Sequence, residues 1–194
     1  MRGGITFPHA QNRKICLPDK KQFCANKMIL FAESLGGRVN LLANGGIQMC
    51  GGRDMDRAIF DNIVKPWLMD NFELPTDFMT NAQYKRLIRY ANWAIERAKI
   101  ELSSREEANI SLSEVETGTR DEAGEEIYLD ITITREEFNP LIEEKIMESV
   151  NAVRETLSKA GLNADDIEKI VFIGGPTNYK PLRDKVCFEL GIAG

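Results

Sequence analysis

The apolar positions of this chain change period as it proceeds, and each change predicts an element. Met28-Ile29-Leu30-Phe31 is a short unbroken apolar run, the pattern of a buried strand, and Val39 to Ala43 reads as a second. Glu33 to Gly37 between them is rich in glycine, so the pair predicts a hairpin. From Gly51-Gly52-Arg53-Asp54 onward the spacing lengthens. Ile59, Ile63, Val64, Trp67 and Leu68 share one face of a helix, and Pro66 is predicted to kink it or to make Lys65 a boundary. Beyond a loop containing Pro75, Tyr84, Leu87, Ile88, Ala91, Ile95, Ala98 and Leu102 recur at steps of three and four. They predict an amphipathic helix from Asn81 or Ala82 to about Leu102, with one stripe against a core.

Residues 109–134 switch to alternation. Ile110 and Leu112, then Ile127, Leu129, Ile131 and Ile133, are separated by polar neighbours, and the stretch Thr117 to Glu125 between them is polar with Gly118 and Gly124. This predicts an antiparallel hairpin with one wet face. Thr134-Arg135-Glu136-Glu137 is a capping box, in which the threonine hydroxyl accepts from the third amide and Glu137 reaches back. The helix it opens carries Phe138, Leu141, Ile142, Ile146, Val150, Val153 and Leu157, with Gly161 placed to end it in a left-handed cap. Asp165 or Asp166 precedes a predicted strand over Lys169 to Ile173. A last helix is expected from about Pro181 to Leu190, its proline in the first turn. Helix, strand, turn and helix in that order make an α/β pattern. Residues 1–27 hold basic residues, Pro8, Pro18 and two cysteines without a period. They receive no fold here and read as a tail, an expression remnant or a displaced segment.

Composition narrows the class. The net charge is −5 with acids and bases intermixed, so no basic field exists for a phosphate backbone and nucleic acid is not an expected partner. No run approaches the roughly 20 apolar residues of a membrane span, and no compact apolar stretch near the N-terminus suggests a signal peptide. Cys16, Cys24, Cys50 and Cys187 are irregularly spaced, and His9 is the single histidine, so a zinc site of the usual ligand count is not expected. The thiols read as reduced, in a cytoplasmic protein.

Two stretches offer chemistry. Ile170-Val171-Phe172-Ile173 runs into Gly174-Gly175-Pro176-Thr177-Asn178. A double glycine between strand and helix lets a ligand approach the main chain and leaves amides facing negative charge, although such glycines more often serve only the turn. Glu96, Lys99 and Ser103 stand at i, i+3 and i+7, so a carboxylate, an amine and a hydroxyl share a helix face. On an arbitrary helix that face would simply be solvated. The occurrence of both in order is what carries information.

These landmarks resemble the nucleotide-binding domain of the seventy-kilodalton heat-shock chaperone family, the DnaK type. Gly51-Gly52-Arg53-Asp54-Met55-Asp56 is similar to the family's double glycine followed by acids. It is followed by Glu96-Arg97-Ala98-Lys99 with Leu102-Ser103-Ser104, then Ile133-Thr134-Arg135-Glu136-Glu137-Phe138, then Val171-Phe172-Ile173-Gly174-Gly175. The resemblance covers roughly residues 28–194. It implies an α/β, actin-like ATPase (ribonuclease H-like) lobe fragment, with residues 28–50 a hairpin leading into the lobe. Residues 51–134 would be an α+β upper subdomain containing an antiparallel hairpin and long helices, and residues 135–194 part of the lower one.

The resemblance also implies that Gly52, Glu96, Lys99, Ile100, Ser103, Gly174, Gly175 and Asn178 occupy positions lining the nucleotide, with no catalytic and no metal-binding residue among them. Ile100 and Asn178 stand where the family usually has arginines that flank adenine, a stacking role neither can copy. Pro176 replaces a small hydroxyl residue. The family's two aspartate-leucine-glycine phosphate loops and its catalytic lysine region find no match. Ser34-Leu35-Gly36-Gly37 fits the hairpin turn better than a phosphate loop. Phosphoryl transfer rests on such positioning and on metal-assisted charge stabilisation, so this stretch alone is not expected to hydrolyse ATP. The resemblance implies ATP or ADP with magnesium in an intact parent ATPase, without tight binding here. It implies a nucleotide-exchange factor or co-chaperone on the helix 82–102 and the hairpin 109–134, and unfolded client peptides on a domain outside this sequence. The alternative reading is a non-hydrolysing interaction module derived from the same lobe.

Overall fold

The computed structural model describes residues 13–15, 26–35, 38–48, 51–167, 169–172 and 174–192. They form two compact units: residues 52–144, and the residues on either side, up to Gly51 and from Lys145. No helix among the described residues is long and apolar enough to cross a membrane.

The unit 52–144 opens with a continuous helical run made of α1 (Gly52–Ile59), a π turn (Phe60–Val64) and α2 (Lys65–Asn71). The π turn is the local answer to Pro66. In a regular α-helix the proline ring would meet the carbonyl four residues back, and no amide hydrogen would serve it. Here the turn widens first, and the Lys65 amide donates to the Phe60 carbonyl, five back. The break expected at Pro66 is therefore a π turn ending just before it. The wider turn slows the rotation of the helix, and Phe60 and Val64 join Ile59 and Leu68 in the core, with Met55. Ile63 and Trp67, expected on the same face, are half-buried.

Asn81 caps a 3-10 turn (Ala82–Tyr84), its side-chain oxygen accepting from the Gln83 amide at 3.0 Å, and this turn feeds α3 (Lys85–Leu102). The helix packs on α1, on the π turn and on a two-stranded antiparallel sheet of β4 (Glu107–Leu112) and β5 (Leu129–Thr134). Ala108 lies opposite Ile133, Ile110 opposite Ile131 and Leu112 opposite Leu129, all buried, while the residues between them face solvent. That is the alternation in the sequence, realised. Of the stripe on α3, Tyr84, Leu87, Ala91, Ile95, Ala98 and Leu102 are buried and Ile88 is half-buried; Ala94 joins them.

The polar stretch between the strands is not a plain loop. Ser113 and Glu116 form a second capping box that starts a one-turn helix, α4 (Glu114–Thr117), ended by Gly118 at φ 53°. The Thr117 hydroxyl, fully buried, donates to the Ile127 carbonyl at 2.5 Å. The buried Asp121 carboxylate accepts from the amides of Glu73 at 2.9 Å and Glu125 at 2.8 Å. Buried polar side chains here replace the missing ladder bonds of the strands.

In the other unit, a four-stranded sheet sets residues 38–48, 26–35, 13–15 and 169–170 side by side in that order. Strand β1 (Arg13–Ile15), in the segment given no fold above, pairs antiparallel with β2 (Asn26–Leu35) and parallel with β6 (Lys169–Ile170). Strands β2 and β3 (Arg38–Gln48) pair from Asn26–Gln48 to Leu35–Arg38 with a bulge at Phe31/Ala32. The hairpin is thus longer than its apolar runs: Glu33, expected in the turn, is in β2, and Gly36 and Gly37 lie outside the described residues. Strand β6 is shorter than expected, leaving Val171 and Phe172 outside it, and Ile173 is not described. Gly45 sits where any Cβ would lie 2.1 Å from Thr156 Oγ1, so glycine alone permits this approach of strand and helix.

Helix α5 (Arg135–Lys159) begins at the predicted capping box: Glu137 accepts from the Thr134 amide at 2.9 Å, and the Glu137 amide donates to the Thr134 hydroxyl at 3.2 Å. It ends at Gly161, φ 66°, with the Leu162 amide on the Leu157 carbonyl and the Gly161 amide on Ser158. This paired closure satisfies carbonyls that the helix leaves open. Helix α6 (Lys180–Leu190) ends the same way at Gly191. Cys187 on α6 is a free, half-buried thiol whose pKa burial raises, while Cys16, Cys24 and Cys50 lie outside the described residues.

Candidate functional site

Gly52 and Asp56 are one turn apart at the start of α1, and Lys99 is in the last turn of α3. Because α1 packs on α3, a lysine 43 residues from Asp56 reaches both. Its ammonium donates to the Gly52 carbonyl at 3.1 Å and to the Asp56 carboxylate at 2.6 Å. The two side chains are only 13% and 16% exposed, which makes this a largely enclosed ion pair and sets it apart from the many exposed pairs on the helices. Burial pushes the Asp56 carboxyl above the ordinary carboxylate value. The Lys99 hydrogen bond and charge pull it down, the Glu96 carboxylate pushes it up again, and Arg53 pulls it down. Desolvation prevails, as expected where a charge leaves water for a single partner.

Gly52 and Lys99, predicted from sequence, are therefore in contact, and Glu96 is within electrostatic reach of the pair. Ser103, one turn beyond Lys99, is half-buried, and its hydroxyl donates to the Lys99 carbonyl at 3.5 Å, the long limit of such a bond. Glu96 is exposed, and Ile100 is 62% exposed. Around the end of α3 the chain thus offers an exposed carboxylate, an ammonium and a hydroxyl. Carboxylate oxygens accept, the ammonium has one N–H left to donate, and the hydroxyl oxygen, its proton turned to Lys99, accepts, a set suited to vicinal hydroxyls such as those of a sugar. A flat ring beside them would meet the aliphatic side chain of Ile100 and no guanidinium.

Asp56 is the member of this cluster that the sequence does not single out, although it closes the Gly51-Gly52-Arg53-Asp54-Met55-Asp56 stretch. An acid one turn after the second glycine shares a face with the Gly52 carbonyl, and that spacing is the signal.

Gly174, Gly175 and Asn178 belong to the other unit. Gly174 has φ 115° and ψ 163°, backbone that side-chain-bearing residues scarcely enter. Among the described residues nothing lies within 4 Å of where a Cβ would stand on Gly174 or Gly175. Gly175–Asn178 is a 3-10 turn in which the Thr177 hydroxyl donates to the Gly174 carbonyl at 2.6 Å, and Asn178 is exposed. Strand, open glycine backbone and helix thus follow one another as the sequence implied, with a 3-10 turn inserted before α6.

A sequence model of the family described as Hsp70 protein matches residues 30–188, a span that holds every one of these positions. The chain belongs to the Hsp70 family.

Proposed function

We propose that this chain supplies the adenosine side of the ATP/ADP cleft of an Hsp70-type chaperone and does not hydrolyse ATP by itself. The Hsp70 family has an actin-like ATPase fold and normally binds ATP or ADP with magnesium. The observation that carries the reading is the seat of Lys99 between the Gly52 carbonyl and the Asp56 carboxylate. It joins two of the stretches on which the resemblance rests, at one place, with Glu96 and Ser103 alongside. These residues fit a ribose, and Ile100 beside them offers the base no stacking cation. Magnesium would arrive with the phosphates, and no residue here is assigned to it. In this reading residues 51–134 are the upper subdomain of the second lobe and residues 135–194 part of the lower; the compact unit 52–144 supports the first boundary and extends past the second. An exchange factor or co-chaperone would grip α3 and the β4–β5 hairpin, clients would bind a domain outside this sequence, and the protein would work in the cytoplasm.

The test is a titration of the chain with ADP followed by amide chemical shifts. Weak binding, near 1 mM or about −4 kcal/mol, should perturb the last turn of α3 and the start of α1, and Lys99→Ala should weaken it several-fold. Submicromolar binding would mean that the cleft is complete without the phosphate loops. Shifts that are absent, or unchanged in Lys99→Ala, would place the nucleotide elsewhere.

The exposure of Ile100 favours a second reading, a non-hydrolysing interaction module. ATP turnover by the longest natural form of the protein, with and without an unfolded peptide, separates the two.

A further inference from the structure

The first turn of α1 sets a second base beside Lys99. Arg53 and Asp56 are three residues apart in this helix, which places their Cβ atoms about 5–6 Å apart on one face. That face meets the end of α3, where the Lys99 ammonium holds the Asp56 carboxylate at 2.6 Å. The two bases are differently engaged. Lys99 already donates to Asp56 and to the Gly52 carbonyl. Arg53 is exposed and has no ion-pair partner among the described residues. Arg57, one turn further on, is held by Asp61 at 3.5 Å. Where the resembling stretch of the family follows its double glycine with acids, this chain places a base.

Charge decides what this base can do. A ribose is neutral, and Glu96, Lys99 and Ser103 suffice for it. The phosphates of ADP are anions, and without Arg53 they would meet two carboxylates, Asp56 and Glu96, against one ammonium that is already shared. A guanidinium is always charged, and its planar fork matches two phosphate oxygens at once. Direction agrees with charge. A helix turns about 100° per residue, so Ile100 and Lys99 point to different sides of α3: Ile100 to solvent, Lys99 to the start of α1. A nucleotide with its base beside Ile100 and its ribose over Lys99 extends onto the first turn of α1, where Arg53 is the unengaged base.

We infer that Arg53 is a specificity-determining residue of the proposed nucleotide site: its guanidinium binds the phosphates and makes the site prefer ADP to adenosine. The inference rests on the reading of Glu96, Lys99 and Ser103 as a ribose site and carries that site past the sugar. Because Arg53 is exposed, water and salt screen the contact, so the preference is modest and falls with ionic strength.

The test titrates the full chain with ADP, adenosine and inorganic phosphate, followed by amide chemical shifts, in the parent and in Arg53→Ala, Arg53→Glu and Arg53→Lys. In the parent, ADP should bind about fivefold more tightly than adenosine, the share of one partly screened ionic contact. Arg53→Ala should bring ADP level with adenosine, Arg53→Glu should place it below, and Arg53→Lys should keep part of the preference. Adenosine affinity and the melting curve should be those of the parent in all three variants, which separates a phosphate contact from a structural role. An ADP-to-adenosine ratio that Arg53→Glu leaves unchanged would overturn the inference while the ribose reading stands. Loss of adenosine and ADP binding together, or a lowered melting curve, would make Arg53 structural and overturn it as well. Inorganic phosphate bound at Arg53 as tightly as ADP would reduce the position to an anion contact without a nucleotide. If neither ADP nor adenosine perturbs the last turn of α3 and the start of α1, the ribose reading falls and takes the inference with it.

Discussion

The two sides of α3 both carry large apolar residues, and only one of them is covered. Its inner face buries Leu87, Ile95 and Leu102 with Ala91, Ala94 and Ala98 among them, each at most 1% exposed, while its outer face leaves Trp93 and Ile100 more than 60% exposed. Small residues inside let the helix lie close to the sheet of β4 and β5, where Ala108 is also small. Large residues outside contribute nothing to that packing. The inner side is built for stability and the outer side for something else, so substitutions on the two should separate folding from binding.

The largest effect is expected on the inner side, at the sheet that covers α3. Ile131 is 7% exposed and lies opposite Ile110, which is fully buried. Ile131→Asp places a carboxylate with no partner on the apolar face, at a cost of about 4 kcal/mol or more. Urea denaturation should show the unit 52–144 unfolded or nearly so; an unchanged midpoint would mean that the register of β5 is wrong by one residue. Ala98→Leu tests the close approach directly. Ala98 is fully buried, and overpacking there should cost about 1–3 kcal/mol. Trp93→Ala, five residues away but on the other side, should stay within about 0.5 kcal/mol of the parent. Equal losses from the two would erase the distinction between the faces.

How much of this was legible follows from which residues signal by themselves. The β4–β5 hairpin was legible because one of its faces is wet, so burial is written as alternation. The start of α5 was legible because Thr134 and Glu137 precede a long apolar series. The same box at Ser113 and Glu116 went unread because α4 is one turn long and no apolar series follows it. The π turn was invisible: Ile59, Ile63, Val64, Trp67 and Leu68 fit a plain helix equally well, and only the clash at Pro66 requires the wider turn. The need for glycine at Gly45 comes from Thr156, far along the chain. At the site, Lys99 and Gly52 could be singled out by motif, whereas the role of Asp56 required knowing that α1 packs on α3.

The ion pair at that junction gives an intermediate effect. Removing Asp56 leaves the Lys99 ammonium largely enclosed with only the Gly52 carbonyl, so Asp56→Ala should cost about 1–3 kcal/mol. Asp56→Ala with Lys99→Met should recover most of it, since no charge is then left unpaired. The pH dependence has a definite sign. The folded chain holds the Asp56 proton more tightly than the unfolded chain, because the folded pKa is raised above 3.8. Stability from this group is therefore fully present below 3.8 and lost as pH rises through the folded value. Thermal melts of the parent relative to Asp56→Ala should show the parent gaining on acidification toward that window. A parent that loses ground there would mean that pairing with Lys99, rather than burial, sets this pKa.

The smallest effect on folding, and the sharpest on function, belongs to Ile100. At 62% exposure it contributes little to the core, so Ile100→Arg should leave the melting curve within about 0.5 kcal/mol of the parent. Its consequence at the proposed nucleotide site has a definite sign. A guanidinium one residue after Lys99 would restore a cation beside the base of a bound adenosine, and stacking of that kind contributes about 1–2 kcal/mol where the site is partly shielded, so ADP should bind several-fold more tightly. If ADP affinity is unchanged, the end of α3 does not flank a bound base, and the non-hydrolysing module becomes the better account.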